Sequence, residues 1–219
     1  MQKKNRRSFF IGVSLLMAFV LWTVLVCFVD VGEIGPEKSS VGFATLNGYF
    51  HNLTGVNMSL YTITDWLGLV PIGVAFGFAV LGLVQWIKRK SLSKVDSSIL
   101  LLGGFYIVVI AVFILFEIVV INYRPTLING ELEASYPSST TMLVTCVMPT
   151  AMMQLHARIK SDVFRRFIML AIAAFTAFMV IGRLVSGVHW ITDIIGGALF
   201  SAAIVLMYYA VGNTVTKSA

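Results

Sequence analysis

Arg183, His189 and Asp193 stand together in GRLVSGVHWITD, residues 182–193, and are the only residues between Arg166 and Lys217 that can carry charge near neutral pH. His189 and Asp193 are four positions apart, so on a helix they would share a face. A carboxylate beside an imidazole fixes its tautomer and stabilises its charged form. Arg183 adds a planar fork of donors suited to phosphate. Ionisable groups at membrane depth cost about 2.5–3.5 kcal/mol each on insertion scales. A snorkelling arginine or an incidental turn histidine would account for one residue, not for the three as a set.

Two further polar pieces precede them. In NYRPTLINGELEASYP, Arg124 is expected at the end of a helix that Pro125 stops. The next helix is expected to begin at YPSSTTML, where Pro137 precedes Ser138, Ser139, Thr140 and Thr141. Free backbone N–H groups make a helix N-terminus an anion site, and hydroxyls add donors. Two arginines, such an N-terminus and an oriented histidine are the parts needed to hold a phosphate and attack it. Arginines bind phosphate bidentately and neutralise the charge on a transferring group. A neutral imidazole can be the nucleophile, giving a phosphohistidine that water hydrolyses.

The elements that must position these residues are membrane helices. Of the 219 residues 58% are hydrophobic and 12% charged, against roughly 45–50% and 25% in soluble domains. Six segments approach the length of about 20 apolar residues that a span needs: 9–28, 66–87, 98–121, 138–155, 167–182 (extending toward 185) and 191–211. The predicted fold is all-α, an integral membrane bundle of six helices in one domain, 1–219. The first segment follows MQKKNRR but is longer than a signal-peptide core and lacks a small-x-small cleavage site, so it reads as a retained helix.

The net charge of +6 is explained by topology, not by nucleic acid. Lys3, Lys4, Arg6, Arg7, Lys88, Arg89, Lys90, Lys94, Arg158, Lys160, Arg165, Arg166 and Lys217 all fall on one side of a six-helix arrangement. The positive-inside rule makes that side cytoplasmic, with both termini. Arg124, residues 138–141 and residues 183–193 then share the outer face. The outer loop 30–65 contains GFATLNGYFHNL, with Phe43, Leu46, Phe50 and Leu53 at helical spacing and Asn47 and His51 on another face. This predicts an interfacial helix that either covers a lipid entrance or anchors the loop. Cys27 and Cys146 lie in apolar runs and read as small buried hydrophobes. No residue cluster implies a metal, no cofactor is expected, and the sequence assigns no oligomeric state.

These residues resemble the type-2 phosphatidic acid phosphatases, which share their core with vanadium haloperoxidases. That family's pattern is Lys-x6-Arg-Pro, then Pro-Ser-Gly-His, then Ser-Arg-x5-His-x3-Asp. Here Arg183, His189 and Asp193 match the third part, with Gly182 at its leading serine and Gly196 and Gly197 family-like downstream. Arg124–Pro125 match the first, with Glu117 at the lysine, and Pro137–Ser138 match the second, with Ser139 for glycine and Thr140 for histidine. The motifs run from Glu117 to Gly197. The resemblance implies His189 as nucleophile and Asp193 as its orienter. It also implies that Arg124, Arg183, Ser138 and the N–H of Ser139 hold phosphate.

The departures matter because the second-part histidine protonates the leaving group in the family, and Thr140 is a poor acid. Three readings follow. One is a phosphatase acting on an isoprenoid diphosphate, whose leaving group needs no acid, or on a related phospholipid. In the second, Glu117 is the acid. The third is a non-catalytic binder or transporter of lipid phosphates. The expected location is a bacterial plasma membrane, crossed several times, with membrane lipids as neighbours.

Overall fold

The computed structural model describes residues 3–218. Eight α-helices run through them: α1 Lys3–Phe28, α2 Ala44–Thr54, α3 Met58–Leu67, α4 Leu69–Arg89, α5 Ser97–Ile118, α6 Ser139–Arg158, α7 Asp162–Val185 and α8 Ile191–Ser218. Each of the six predicted segments lies within or largely over one of the long ones. Five stretches among the described residues are long and apolar enough to cross a membrane: Lys3–Phe28, Met58–Arg89, Ser97–Ile118, Asp162–Val185 and Ile191–Thr214. In the first four the apolar side chains point largely outward, as with Val20, Phe76, Ile107 and Leu170, whereas the fifth is more than half buried. The outward pattern is that of helices solvated by lipid, whose backbone polar groups are satisfied internally.

The remaining long helix, α6, is built differently. Thr141, Val144, Cys146, Thr150 and Ala151 are all buried on it. It packs against α4, α7 and α8, while α1 lies along α8. Of its polar side chains, Thr150 donates to the Cys146 carbonyl at 2.8 Å, and Gln154 donates to the Ser98 carbonyl at 3.1 Å. A helix enclosed by others needs no lipid-compatible surface, which explains its lower apolar content.

The main core joins α1, α5, α6 and α8 through Phe19, Leu102, Phe105, Cys146, Phe200 and Tyr208. Cys146 is buried as expected, and Cys27 is half-buried. At the end of α4, Asp96 accepts from Gln85 and pairs with Arg89 at 2.9 Å, fastening the turn into α5.

Three connections differ from the sequence expectation. The segment expected to start near residue 66 begins as helix at Met58, because the Asn57 side chain caps it by accepting from the Leu60 N–H. Helix α5 ends at Ile118, so Arg124 lies six residues beyond it. Residues 123–134 form a small hairpin, with bridges Tyr123–Ala134 and Ile128–Glu131. Its turn is Asn129–Gly130, both at positive φ, the combination that a two-residue type I′ turn requires.

Finally, α2 is the helix expected in the outer loop, but its faces divide otherwise. Leu46, Tyr49 and Leu53 are exposed, whereas Phe43 stacks on Trp22 at 5.2 Å. Asn47 is fully buried and donates to Thr192 Oγ1 at 3.0 Å. The pull of that polar anchor on α8 sets the rotation of α2.

Two glycines permit the outer helices to reach α7. A Cβ on Gly182 would lie 2.8 Å from the Thr64 methyl. The serine of the family pattern at this position would therefore push α3 away. Gly187, at φ +67°, lies directly against the Gly55 backbone, and beside this contact the Asn57 N–H donates to the Ser186 carbonyl at 2.9 Å.

Candidate active site

His189 lies in the turn between α7 and α8, ahead of the first residue of α8, and is buried. It does not share a helical face with Asp193. Its Nδ1 is 3.8 Å from Asp193 Oδ2, too far for a hydrogen bond. Ser135, just past the returning arm of the hairpin, fills the gap. Its Oγ is 3.1 Å from His189 Nδ1 and donates to Asp193 Oδ2.

The tautomer follows. The Ser135 proton is directed at the carboxylate, so Ser135 Oγ must accept from His189 Nδ1–H. The lone pair is then on Nε2, which is buried and has no hydrogen-bond partner. Burial holds the imidazole well below the usual histidine range, and Arg124 and Arg183 add to the effect. A neutral ring with an unengaged Nε2 is the form that attacks an electrophile.

Asp193 is held in turn. Its Oδ2 accepts from the Trp190 N–H at 2.9 Å, and its backbone carbonyl accepts from the Ser138 N–H at 3.1 Å. The first contact is the reach of an N-terminal carboxylate back to a helix cap. The second ties the start of α8 to the start of α6. Trp190 donates from Nε1 to the Tyr123 carbonyl at 2.7 Å, which pins the hairpin to the same turn.

The two arginines converge from different elements. Arg124, on the hairpin, forms an ion pair with Glu133 at 3.0 Å, and its Nη1 is buried without a partner. Arg183, on the last turn of α7, donates from Nη2 to Asp65 at 2.9 Å and to Thr140 Oγ1. Its Nε is buried without a partner. Both guanidinium groups face the ring of Tyr61, with Cζ 5.9 Å from its centre for Arg124 and 5.0 Å for Arg183. Paired acceptors keep the two cations tolerable beside each other, while their remaining N–H groups are left for an anion.

The predicted residues are thus distributed as follows. Two sets of bonds form: His189 and Asp193 are joined through Ser135, and Arg183 holds Thr140 and Asp65 and shares the Tyr61 ring with Arg124. Ser138 is buried and caps α6, accepting from the Thr141 N–H at 3.4 Å. Ser139 opens α6 and is half-buried. Glu117 is exposed at the end of α5 and lines a narrow cleft with Ser135, Pro137 and Ser139. The carboxylate on Arg124 is Glu133, not Glu117.

Sequence reasoning passed over Ser135, Tyr61, Thr64, Asp65 and Glu133. The Asn129–Gly130 turn was the available signal for Ser135 and Glu133, since it folds both back beside Asn122 and Arg124. Ser135→Ala removes the bridge but no charge. We expect kcat to fall about tenfold to a hundredfold with KM little changed. A pH–rate profile of the purified variant checks this: loss of positioning lowers the plateau, whereas an unchanged plateau would refute the bridging role.

Comparison with known proteins bears on the second half of the chain and on the fold. The family model of the PAP2 superfamily matches residues 116–217, the stretch that carries Arg124, α6, Arg183, His189 and Asp193. The crystal structure of the first transmembrane PAP2-type phosphatidylglycerolphosphate phosphatase from Bacillus subtilis is similar over 94% of this chain and 96% of its own, with a TM-score of 0.54 and 17% identity. That degree of identity speaks for a common all-helical transmembrane fold. No curated protein matches the chain.

Proposed function

We propose, for a chain whose residues 116–217 match the PAP2 superfamily model, that it is a member of that superfamily and a membrane lipid-phosphate phosphatase working through a phosphohistidine on His189. The observation that carries this reading is the state of His189: Nδ1 engaged by Ser135, Nε2 buried and unpartnered. Attack by Nε2 on phosphorus forms a P–N bond and releases the lipid oxygen, and water then cleaves the P–N bond. The unpartnered N–H groups of Arg124 and Arg183 are suited to the charge that builds on the phosphoryl oxygens. Ser138, through its cap on α6, and the N–H of Ser139 at that helix start would complete the cradle.

The substrate class follows from the leaving group. Thr140 gives little help to a departing alkoxide, but the phosphate that departs from a diphosphate needs far less protonation. An isoprenoid diphosphate therefore suits the site, and a related phospholipid is the neighbouring choice. The setting is the plasma membrane of a bacterium, with the termini cytoplasmic and the site at the outer face. Each helix layer fits that orientation: the basic residues cluster at the opposite end, around Arg89 and Arg158.

The test is phosphate release by the detergent-purified chain from a polyprenyl diphosphate, a polyprenyl monophosphate and phosphatidic acid, with His189→Ala as control. Release from none of them would refute the reading. The competing reading, a lipid-phosphate binder or transporter, draws on the engagement of both arginines by Glu133 and Asp65. It predicts that His189→Ala keeps its function in cells.

A further inference from the structure

The family pattern has a proton-donating histidine where this chain has Thr140. The Thr140 hydroxyl accepts from Arg183 Nη2, and an aliphatic alcohol is in any case too weak an acid for the task. Other titratable groups near the arginines can be weighed in turn. Glu117 is exposed and pairs with neither arginine. Asp65 is ion-paired with Arg183 and Glu133 with Arg124, so both carboxylates are already engaged. His51 packs on the Trp190 ring at 5.5 Å, and burial holds it below the usual histidine range, so it is neutral near pH 7.

Tyr61 remains. Its ring is the surface that both guanidinium groups face. Its phenol lies in the field of Arg124, Asp65, Arg183 and Glu133, and the residue is half-buried, open to an incoming ligand. A phenol carries its proton at neutral pH and is an accepted general acid. The backbone around it is fixed: the Tyr61 N–H donates to the Asn57 carbonyl at 3.0 Å, Asn57 is tied to Ser186, and Thr64 sits on Gly182.

We infer that Tyr61 is a further catalytic residue, the proton donor to the departing oxygen in place of the histidine that this chain lacks. The inference rests on the reading of His189 as the phosphoryl acceptor. In the first step Nε2 of His189 forms the P–N bond as the P–O bond to the lipid breaks. The Tyr61 O–H proton goes to the lipid oxygen, which leaves as an alcohol. The phenolate is held between Arg124 and Arg183. In the second step water adds its oxygen to phosphorus, the P–N bond breaks, and the water proton returns to the phenolate. With this donor the substrate range extends from lipid diphosphates to lipid monophosphates.

The test compares leaving groups in the full chain and in Tyr61→Phe, which retains the ring between the arginines. The substrates are an alkyl lipid monophosphate, a lipid diphosphate and 4-nitrophenyl phosphate. Nitrophenolate and phosphate leave without a proton, whereas an alkoxide does not. Tyr61→Phe is expected to lose about a hundredfold in kcat on the alkyl monophosphate and to stay within about threefold on the other two. Thr140→His in the Tyr61→Phe background is expected to restore part of the alkyl monophosphate rate. Equal losses on all three substrates, or no loss on the alkyl monophosphate, overturn the inference. So does a wild-type chain that hydrolyses the diphosphate and the nitrophenyl ester but not the alkyl ester, and that result leaves the phosphatase reading standing. A chain that hydrolyses none of the three sinks both.

Discussion

If the proposed phosphohistidine route holds, His189→Ala is expected to abolish phosphate release from every lipid substrate, a fall of about 10⁴-fold or more to the uncatalysed background. Among the described residues His189 is the one buried imidazole, and the hydroxyls nearby are already engaged: Thr140 bonds to Arg183, and Ser135 bridges His189 Nδ1 and Asp193. The wild-type pH profile carries the same information. Burial and the two arginines hold His189 well below the usual histidine range, so its imidazole stays deprotonated at mildly acidic pH. The acid limb of kcat/KM is expected below the ordinary histidine value of about 6.5, and a limb at or above it would refute the neutral, depressed imidazole. The stability effect has the matching sign. Below about 6.5 the unfolded chain binds this proton before the folded one does, so stability falls as pH drops through that range.

Arg183→Ala is the second large effect. Its side chain is only 2% exposed, and one guanidinium group joins α3, α6 and α7 through Asp65, Thr140 and its own backbone. On the proposed phosphatase reading, removal takes away a cation for the transferring group, with an expected loss of about 10²–10³-fold in kcat/KM. Arg183→Lys should lose nearly as much, because a single ammonium cannot reproduce a fork that serves several acceptors at once. Asp65 is 56% exposed, so the carboxylate left behind is solvated and the fold survives. Steady-state kinetics with a thermal melt of each variant check both statements. A lysine variant with wild-type kcat/KM would show that the charge alone matters.

The sequence made the helical membrane fold legible because lipid imposes long apolar runs, and those runs need no tertiary context to be read. Arg183, His189 and Asp193 were legible for the same reason: charge inside such a run has no neutral explanation. What escaped was what tertiary contact alone decides. Asp65 and Tyr61 read as the tail of a polar loop, because Asn57 starts the helix eight residues before the apolar run does. The spacing of His189 and Asp193 suggested a direct contact on one helix, but the helix begins only at Ile191, and a serine 54 residues away in sequence from His189 completes the bridge. The helix α6 was the least apolar of the long segments because its surroundings are protein, a property of the neighbours rather than of its own residues.

The backbone contact between Gly55 and Gly187, with the Asn57–Ser186 bond beside it, has a consequence for observing the molecule. The outer helices that carry Asn47, Tyr61 and Asp65 meet the His189 turn at this seam, in addition to the Asn47–Thr192 bond and the Asp65–Arg183 ion pair. Those helices cannot lift from the arginines without freeing the Asn57 amide. Deuterium uptake at that single amide therefore clocks how often the site opens, in the absence of any substrate.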